Sequence, residues 1–224
     1  MSAHHVILLH GIWMRGFTLQ PMARQLRAAG FSVGFFEYNS VAGDPDQSVA
    51  QLRAHIRAAN RETVHLLGHS LGGLLALKTL RSADDLPPGR IVCLGSPLCG
   101  SASARGLARW PGGTWMLGRS LDLLTGGVGA WNGTRAVGVI AGCLPLGLGF
   151  LAGGLIGPSD GTVSVAETEL PGISDHRVVS ASHTGLLFSN EVARLAVTFL
   201  QHGRFAQARG AEVAGHQDEW APKA

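Results

Sequence analysis

The stretch Val64-His-Leu-Leu-Gly-His-Ser-Leu-Gly-Gly73, which continues as Leu74-Leu-Ala-Leu-Lys-Thr-Leu80, decides the fold of this chain. It starts as an apolar run of strand length, turns where Gly68 and Gly72 flank Ser70, and ends as an apolar helical segment. Because glycine lacks a Cβ, the strand and the helix can approach closely while the serine occupies the tip of a sharp turn. The pattern predicts a nucleophile elbow, with a helix N-terminus that favours negative charge beside Ser70.

A second Gly-x-Ser-x-Gly match, Gly157-Pro-Ser-Asp-Gly161, competes with this assignment. No clear strand precedes it, Pro158 removes a backbone donor, and no helical periodicity follows it. A nucleophile elbow needs a strand before the turn and a helix after it. The context therefore selects Ser70, and not Ser159, as the candidate nucleophile.

Strand and helix patterns alternate on both sides of the elbow. Apolar runs rich in β-formers predict strands at 6–9, 31–38, 64–67, 90–94, 135–141 and 176–180, and apolar residues at helical spacing predict helices between them and at 186–200. This alternation predicts an α/β fold, a mainly parallel sheet flanked by helices on both faces. The length of 224 residues and the absence of a repetitive linker predict one domain over 1–203, followed by a polar tail over 204–224.

The segment 98–133 interrupts this alternation. Its periodicity dissolves into Gly, Ser and Arg, with tryptophans at Trp110, Trp115 and Trp131. A connection of this length is either a functional insertion or disordered. The aromatic content favours a Gly/Trp-rich cap that covers a pocket.

Composition excludes several classes of function. The net charge of +3 comes with scattered arginines, so we expect no nucleic-acid partner. Cys93, Cys99 and Cys143 lack Cys-x-x-Cys spacing, which predicts free, buried thiols. His4 and His5 have no third ligand at metal spacing, so we expect them to be solvent-exposed and expect no metal site. The N-terminal residues have neither a basic region nor a long apolar segment, which favours a cytoplasmic protein.

The uncharged stretch 136–159 is long enough to span a membrane. Pro145 and frequent glycines make it a poor continuous helix. We therefore expect a strand and a Gly-rich loop near a pocket rather than stable membrane insertion. Association with a lipid surface stays open.

A serine hydroxyl needs an imidazole to accept its proton and a carboxylate to orient that imidazole. Where an elbow serine is the nucleophile, these partners follow in the order acid, then histidine. His183 lies between the last predicted strand and the closing helix and is the predicted base. Asp160, in a turn after the apolar loop, is the predicted acid, although such an aspartate can also serve only as a turn residue. Weaker candidates for the acid are Asp122, Asp175, Glu167 and Glu169.

An oxyanion requires two preorganised donors. We assign them to the backbone N–H of Leu71, directly after the nucleophile, and of Ile12, in the turn after the first strand. Gly11 permits close approach of the backbone there. Candidate pocket residues are His10, Trp13 and His69, with a supporting role in the loop as the alternative for His10.

Four motifs in this order carry a resemblance: Val6 to Gly11, Gly68 to Gly72, Ser159 to Val163, and Ser182 to Gly185. Together they resemble the α/β-hydrolase superfamily over residues 4–200, and more narrowly bacterial lipases and esterases, including the group similar to GPI-inositol deacylases. The resemblance implies the α/β-hydrolase fold and hydrolysis of a small-molecule or lipid ester through an acyl-enzyme, without metal or organic cofactor.

Two other functions stay open. A thioesterase or an acyltransferase would use the same three residues with a different substrate or acceptor. A non-catalytic binding protein would share the fold without the reaction, because fold alone does not fix function. The compact chain without a visible secretion signal favours a small intracellular esterase over a secreted lipase.

Overall fold

The computed structural model describes residues 4–81, 83, 85–146 and 155–205, and these contain one six-stranded sheet. Its strands are β1 (His4–Leu9), β2 (Ser32–Phe36), β3 (Thr63–His69), β4 (Ile91–Leu94), β5 (Val137–Gly142) and β6 (Asp175–Val179). They lie in the order β2-β1-β3-β4-β5-β6, and all five pairings are parallel. The predicted parallel sheet is confirmed.

The described helices are α1 (Gln20–Ala28), α2 (Pro45–Ala58), α3 (Leu71–Leu80), α4 (Ala102–Ala108), α5 (Gly113–Leu117), α6 (Leu121–Gly126), α7 (Val165–Thr168) and α8 (Asn190–His202). Short 3-10 turns precede α1, α6 and α8. The sequence predicted the long helices within a few residues. Gly30, at φ +91°, ends the first of them as expected.

Two apolar cores lie on opposite faces of the sheet. Helices α1 and α8 cover one core, while α2, α3 and part of the segment 98–133 cover the other. Successive residues of β3 alternate between the two cores, with Leu66 in the second and Leu67 in the first. Burial on both faces explains why β3 and β4 are continuous apolar runs.

The parallel strands bring their following loops to one edge of the sheet. Leu9 pairs with Gly68, and His69 pairs with Leu94, so β1, β3 and β4 end at the same level. The Ser70 N–H continues this ladder by donating to the Leu94 carbonyl at 2.9 Å. The loops after β1, β3 and β4 therefore meet beside Ser70.

The segment 98–133 is ordered and partly helical, through α4, α5 and α6. Backbone hydrogen bonds tie it to the rest of the chain: Arg119 N–H donates to Val41 O at 2.8 Å, and Trp131 N–H donates to Pro171 O at 2.8 Å. The structure thus describes 98–133 as a folded segment, and its role as a cap stays a prediction.

Several expectations need correction or lie beyond the described residues. Among the three free thiols, Cys93 is buried, but Cys99 is exposed because its sulfur lies at the surface beside Glu169. His5 is half-buried, since its ring bonds to Ser32. The uncharged stretch begins as strand β5, while 147–154 of its loop and 206–224 of the tail lie outside the described residues. Within the described ranges, no helix combines the length and apolar character needed to cross a membrane.

Candidate active site

Ser70 occupies the strained turn between β3 and α3. Its backbone lies at φ +54° and ψ −120°, a region that non-glycine residues rarely adopt. The flanking glycines are needed for close approach: a Cβ on Gly68 would lie 2.4 Å from the backbone of Gly72, and a Cβ on Gly72 would lie 2.4 Å from the Leu9 carbonyl oxygen. The geometry is that of the elbow predicted from the sequence.

Asp160 and His183 form a short, buried hydrogen bond. The Asp160 Oδ2 atom lies 2.7 Å from the Nδ1 atom of His183, and the His183 N–H also donates to the Asp160 carbonyl at 2.8 Å. The Asp160 side chain is only 1% exposed. Because an ionised carboxylate can only accept, this bond assigns a proton to His183 Nδ1, and in the neutral imidazole Nε2 is then the acceptor.

The second carboxylate oxygen of Asp160 fixes its orientation. Oδ1 accepts hydrogen bonds from Thr162 N–H at 2.9 Å and Val163 N–H at 2.7 Å. An antiparallel bridge between Ser159 and Ser164 closes the same turn. The turn role considered for Asp160 and its contact with His183 therefore coexist, one on each oxygen.

Two of the other candidate acids, Glu167 and Asp175, have other partners. Glu167 accepts from Ser164 N–H at 2.8 Å with one oxygen and from Ala102 N–H with the other, so it joins the N-termini of α7 and α4. Asp175 accepts from the His176 N–H and, at 2.8 Å, from the Phe205 N–H. Both carboxylates thus bind backbone amides, and within the described ranges Asp160 is the one carboxylate that pairs with His183.

His183 lies beside the elbow. Its ring centroid is 4.6 Å from that of His69, the residue before the nucleophile, and its carbonyl accepts a hydrogen bond from His69 Nε2 at 3.0 Å. The structure thus brings His183 and Asp160 to the end of β3. The Ser70 hydroxyl has no hydrogen-bond partner in the part of the chain that the structure describes, and Ser70 lines a cavity.

His69 is an uncharged, fully buried imidazole. Burial, followed by the nearby His183, lowers the pKa of His69 from 6.5 to about 3. Its Nε2–H donates to the His183 carbonyl, while its Nδ1 has no hydrogen-bond partner. His69 is therefore a neutral side chain that links the elbow to the loop carrying His183 through a hydrogen bond.

Two backbone amides beside Ser70 are free to donate. Neither the Ile12 N–H nor the Leu71 N–H has an acceptor among the described residues. The Gly11 carbonyl, on the same peptide unit as the Ile12 N–H, accepts from His10 Nδ1 at 2.8 Å and from Met14 N–H at 3.3 Å. Because C=O and N–H point in opposite directions on a trans peptide, these bonds fix the direction of the Ile12 N–H.

An apolar cavity of about 320 Å³ opens at Ser70. Ile12 and Trp13 form one side, and Thr162 and Val163, from the turn that holds Asp160, form another. The segment 98–133 supplies most of the remaining wall: Ser101, Ser103, Ala104, Leu107, Trp110, Met116, Leu117 and Leu124. None of the described residues that line the cavity is charged.

The predicted pocket residues divide into two groups. Trp13 lines the cavity, at φ +60°, with its ring nitrogen bonded to Met116 O. His10 and His69 do not line it, which corrects that prediction. His10 is buried beneath the loop and stacks on Tyr38 at 4.4 Å, so it supports the loop, and burial lowers its pKa. In the ranges described, no three His, Cys, Asp or Glu side chains are grouped as a metal site requires.

Sequence reasoning missed the individual cavity residues of 98–133 and the role of Glu167. Short helices of five to seven residues give no readable period, so the inward positions of Leu107 or Leu117 could not be assigned. One signal was present for Glu167: Ser164-Val-Ala-Glu167 matches the capping-box pattern that the structure contains.

Comparisons with known proteins address the fold. No protein-family model matches the chain, and no curated protein sequence matches it. Similar solved structures include a lipase of Bacillus licheniformis in its propeptide form, with a TM-score of 0.76 at 19% identity over 96% of this chain and 53% of that one. The chain thus spans about half the length of that lipase.

Two other structures match over most of both chains. An esterase of Pyrococcus furiosus has a TM-score of 0.60 at 18% identity, covering 89% of this chain and 82% of that one. A monoacylglycerol lipase of Paleococcus ferrophilus has a TM-score of 0.57 at 15% identity, covering 89% and 94%. The narrower resemblance to GPI-inositol deacylases stays a prediction. The sheet, the elbow and these neighbours together identify the chain as a protein of the α/β-hydrolase fold.

Proposed function

We propose that this chain hydrolyses carboxylic esters that carry an apolar group, through an acyl-enzyme on Ser70. One observation carries the proposal. The Asp160–His183 pair, joined at 2.7 Å, lies at the end of the strand whose elbow presents Ser70 to an apolar cavity. A serine, an oriented imidazole and a buried carboxylate are the groups that acyl transfer requires.

In the proposed reaction, Ser70 Oγ attacks the ester carbonyl carbon and its proton passes to His183 Nε2. The Asp160 carboxylate stabilises the imidazolium through Nδ1–H. The Ile12 and Leu71 N–H groups donate to the oxyanion that forms on the carbonyl oxygen. His183 then gives the proton to the departing alcohol, which leaves an acyl group on Ser70.

Water completes the cycle. His183 Nε2 removes a proton from water as it attacks the acyl carbonyl, and the returning proton restores the Ser70 hydroxyl. The product is the free carboxylic acid. These steps need no metal and no organic cofactor, because the nucleophile, the base and the oxyanion donors all belong to the chain.

The cavity lining supports an apolar substrate. Its walls are mainly Ile, Leu, Met, Trp and Val side chains, and the lining that the structure describes holds no charged residue. Burial of alkyl groups there is favourable, while a charged acid or amine would be desolvated without a partner. In this proposal the segment 98–133 is the cap that separates the reacting ester from solvent.

Active-site labelling tests the proposal. The purified chain is expected to react with a fluorophosphonate probe and to hydrolyse p-nitrophenyl esters. Ser70→Ala is expected not to be labelled and to lose about 10⁴-fold or more in kcat. Ser159→Ala is the matched control, because Ser159 is the serine of the second Gly-x-Ser-x-Gly match. It is expected to keep the labelling.

Two outcomes would overturn the proposal. Undiminished labelling of Ser70→Ala would assign the nucleophile elsewhere. Binding of an ester without turnover by the parent chain would identify a binding protein. Parallel assays with acyl-CoA thioesters and with alcohol acceptors separate ester hydrolysis from thioesterase and acyltransferase activity.

A further inference from the structure

Four large apolar side chains are exposed around the mouth of the cavity. We define the rim patch as Trp13, Trp110, Trp115 and Met116, which are 56%, 50%, 82% and 43% exposed. All of them except Trp115 also line the cavity, and the Trp13 ring nitrogen donates to the Met116 carbonyl at 2.9 Å. The rim patch and the cavity mouth are therefore one continuous surface.

The turn between α4 and α5 presents most of this patch to solvent. Residues 109–112 and 114–116 are all exposed. A Cβ on Gly112, at φ +78°, would meet no atom within 4 Å, so open space surrounds the turn. On α5, Leu117 packs inward while Trp115 points away from the core. Folding alone gives no reason to expose a tryptophan here, and exposed apolar patches of this kind mark interaction sites.

Basic residues flank the rim patch along the sequence. Residues 98–121 contain Arg105, Arg109 and Arg119 and no acidic residue. Arg119 pairs with Asp44, and Arg105 donates to a backbone carbonyl. The Arg109 side chain is exposed and has neither an ion pair nor a hydrogen bond in the described part of the chain. Arg15, two residues after Trp13, is also exposed.

We propose that the rim patch docks on the surface of a bilayer that contains anionic phospholipids. Tryptophan side chains favour the boundary between headgroups and acyl chains, and each arginine near an anionic surface adds electrostatic attraction. A second copy of the chain seated on the patch would close the cavity mouth, whereas a lipid surface leaves it facing a reservoir of apolar molecules. This choice of partner rests on the proposed ester hydrolysis, because an enzyme that hydrolyses apolar esters would take its substrate from the lipid surface that the cavity mouth faces.

Vesicle co-sedimentation tests docking separately from catalysis. Ser70→Ala protein, which cannot consume lipid, is mixed with vesicles of phosphatidylcholine alone or with added phosphatidylglycerol. We expect binding to the anionic vesicles that weakens about tenfold in Trp115→Ala, since most of that side chain is available for burial. Arg109→Gln is expected to weaken it about fivefold at low salt, and less at high salt.

Matched controls come from the opposite face of the sheet. Val178→Ala removes an exposed apolar side chain of β6, and Arg194→Gln removes an exposed arginine of α8. Neither change is expected to alter vesicle binding. With Ser70 restored, Trp115→Ala is expected to keep the parent rate on a water-soluble ester, because Trp115 does not line the cavity.

Several results would overturn docking: equal binding by Trp115→Ala and its parent, equal binding to vesicles without phosphatidylglycerol, or a dimer in solution that Trp115→Ala dissociates. A failure of the proposed reaction gives a different result. In that case soluble esters are not turned over, while the Ser70→Ala chain still binds anionic vesicles through Trp115.

Discussion

The contact between Asp160 and His183 leads to a sharp prediction for Asp160→Asn. The asparagine oxygen can keep the hydrogen bonds from the Thr162 and Val163 amides, and the new NH₂ group then replaces Oδ2. An NH₂ group donates, so His183 Nδ1 must become the acceptor and its proton must reside on Nε2. A protonated Nε2 cannot take the proton of Ser70. We expect kcat to fall about 10⁴-fold, or about 5.5 kcal/mol of transition-state stabilisation.

The same variant is expected to fold normally. Size and backbone contacts are preserved, so the free energy of unfolding should change by less than about 1 kcal/mol. Kinetics on a p-nitrophenyl ester and urea denaturation of the same preparation measure the two quantities independently. The catalytic loss then cannot be attributed to unfolded protein.

Glu167→Gln is the matched control because it alters the other buried carboxylate of this region. Glu167 accepts one amide on each oxygen, from Ser164 and Ala102, and a glutamine can accept only one of them. Leaving a buried N–H opposite an NH₂ group costs about 1–3 kcal/mol of stability, while kcat should stay within about tenfold. The reasoning is refuted if Asp160→Asn keeps more than about a tenth of the parent kcat, or if Glu167→Gln loses as much.

Three further predictions concern the elbow and its supports. Gly72→Ala places a Cβ 2.4 Å from the Leu9 carbonyl oxygen and should lower the free energy of unfolding, measured by urea denaturation, by more than about 3 kcal/mol. Gly126→Ala, with open space at its Cβ, is the control and should raise it by about 0.5–1 kcal/mol. Similar values for the two variants would contradict the close approach at Gly72. The pKa of His69 is about 3 when folded and 6.5 when unfolded, so between these values only the unfolded chain is protonated there. As the pH falls from 6.5 to about 5, His69 should therefore lower the free energy of unfolding by about 2 kcal/mol. His69→Asn should remove this part of the pH dependence of stability. The same pH dependence in both proteins would rule out a buried neutral imidazole. His10→Leu should lower kcat about 10- to 100-fold with little change in KM, since it frees the peptide that presents the Ile12 N–H; a change in KM alone would contradict that role.

The parallel sheet could be predicted from the sequence because most of its strands contain an apolar run of strand length bounded by turn residues, such as Ile91–Leu94 of β4. The elbow at Ser70 was identifiable because Gly68 and Gly72 are required by backbone contacts at 2.4 Å, not by side-chain chemistry. Helices α4 to α7 were not predictable, since four to seven residues complete too few turns to show a period. Their positions depend on hydrogen bonds between distant parts of the chain, such as the one from Trp131 N–H to the Pro171 carbonyl oxygen.

Site prediction depended on chain order and was limited by side-chain direction. Asp160 and His183 were chosen because each follows a predicted strand. Their side chains are in contact, with Asp160 Oδ2 2.7 Å from His183 Nδ1. His10 and His69 were predicted as pocket residues, with support of the loop as the alternative for His10, and neither lines the cavity. Successive residues near a strand end point to opposite sides, so a neighbour of a cavity residue is more often buried behind it. The low pKa of His69 reflects that burial.

The cavity wall and the orientation of the acid are coupled through a few bonds. Ser103 Oγ donates to the Thr162 carbonyl at 2.7 Å, while the Thr162 N–H holds Asp160 Oδ1 at 2.9 Å. Ser103 therefore both lines the cavity and contacts the turn that orients Asp160. Leu107 lines the same cavity from the next turn of α4 and has no hydrogen bond to that turn. It follows that the depth of the cavity can change at Leu107 without disturbing the charge that His183 needs, whereas a change at Ser103 alters both together.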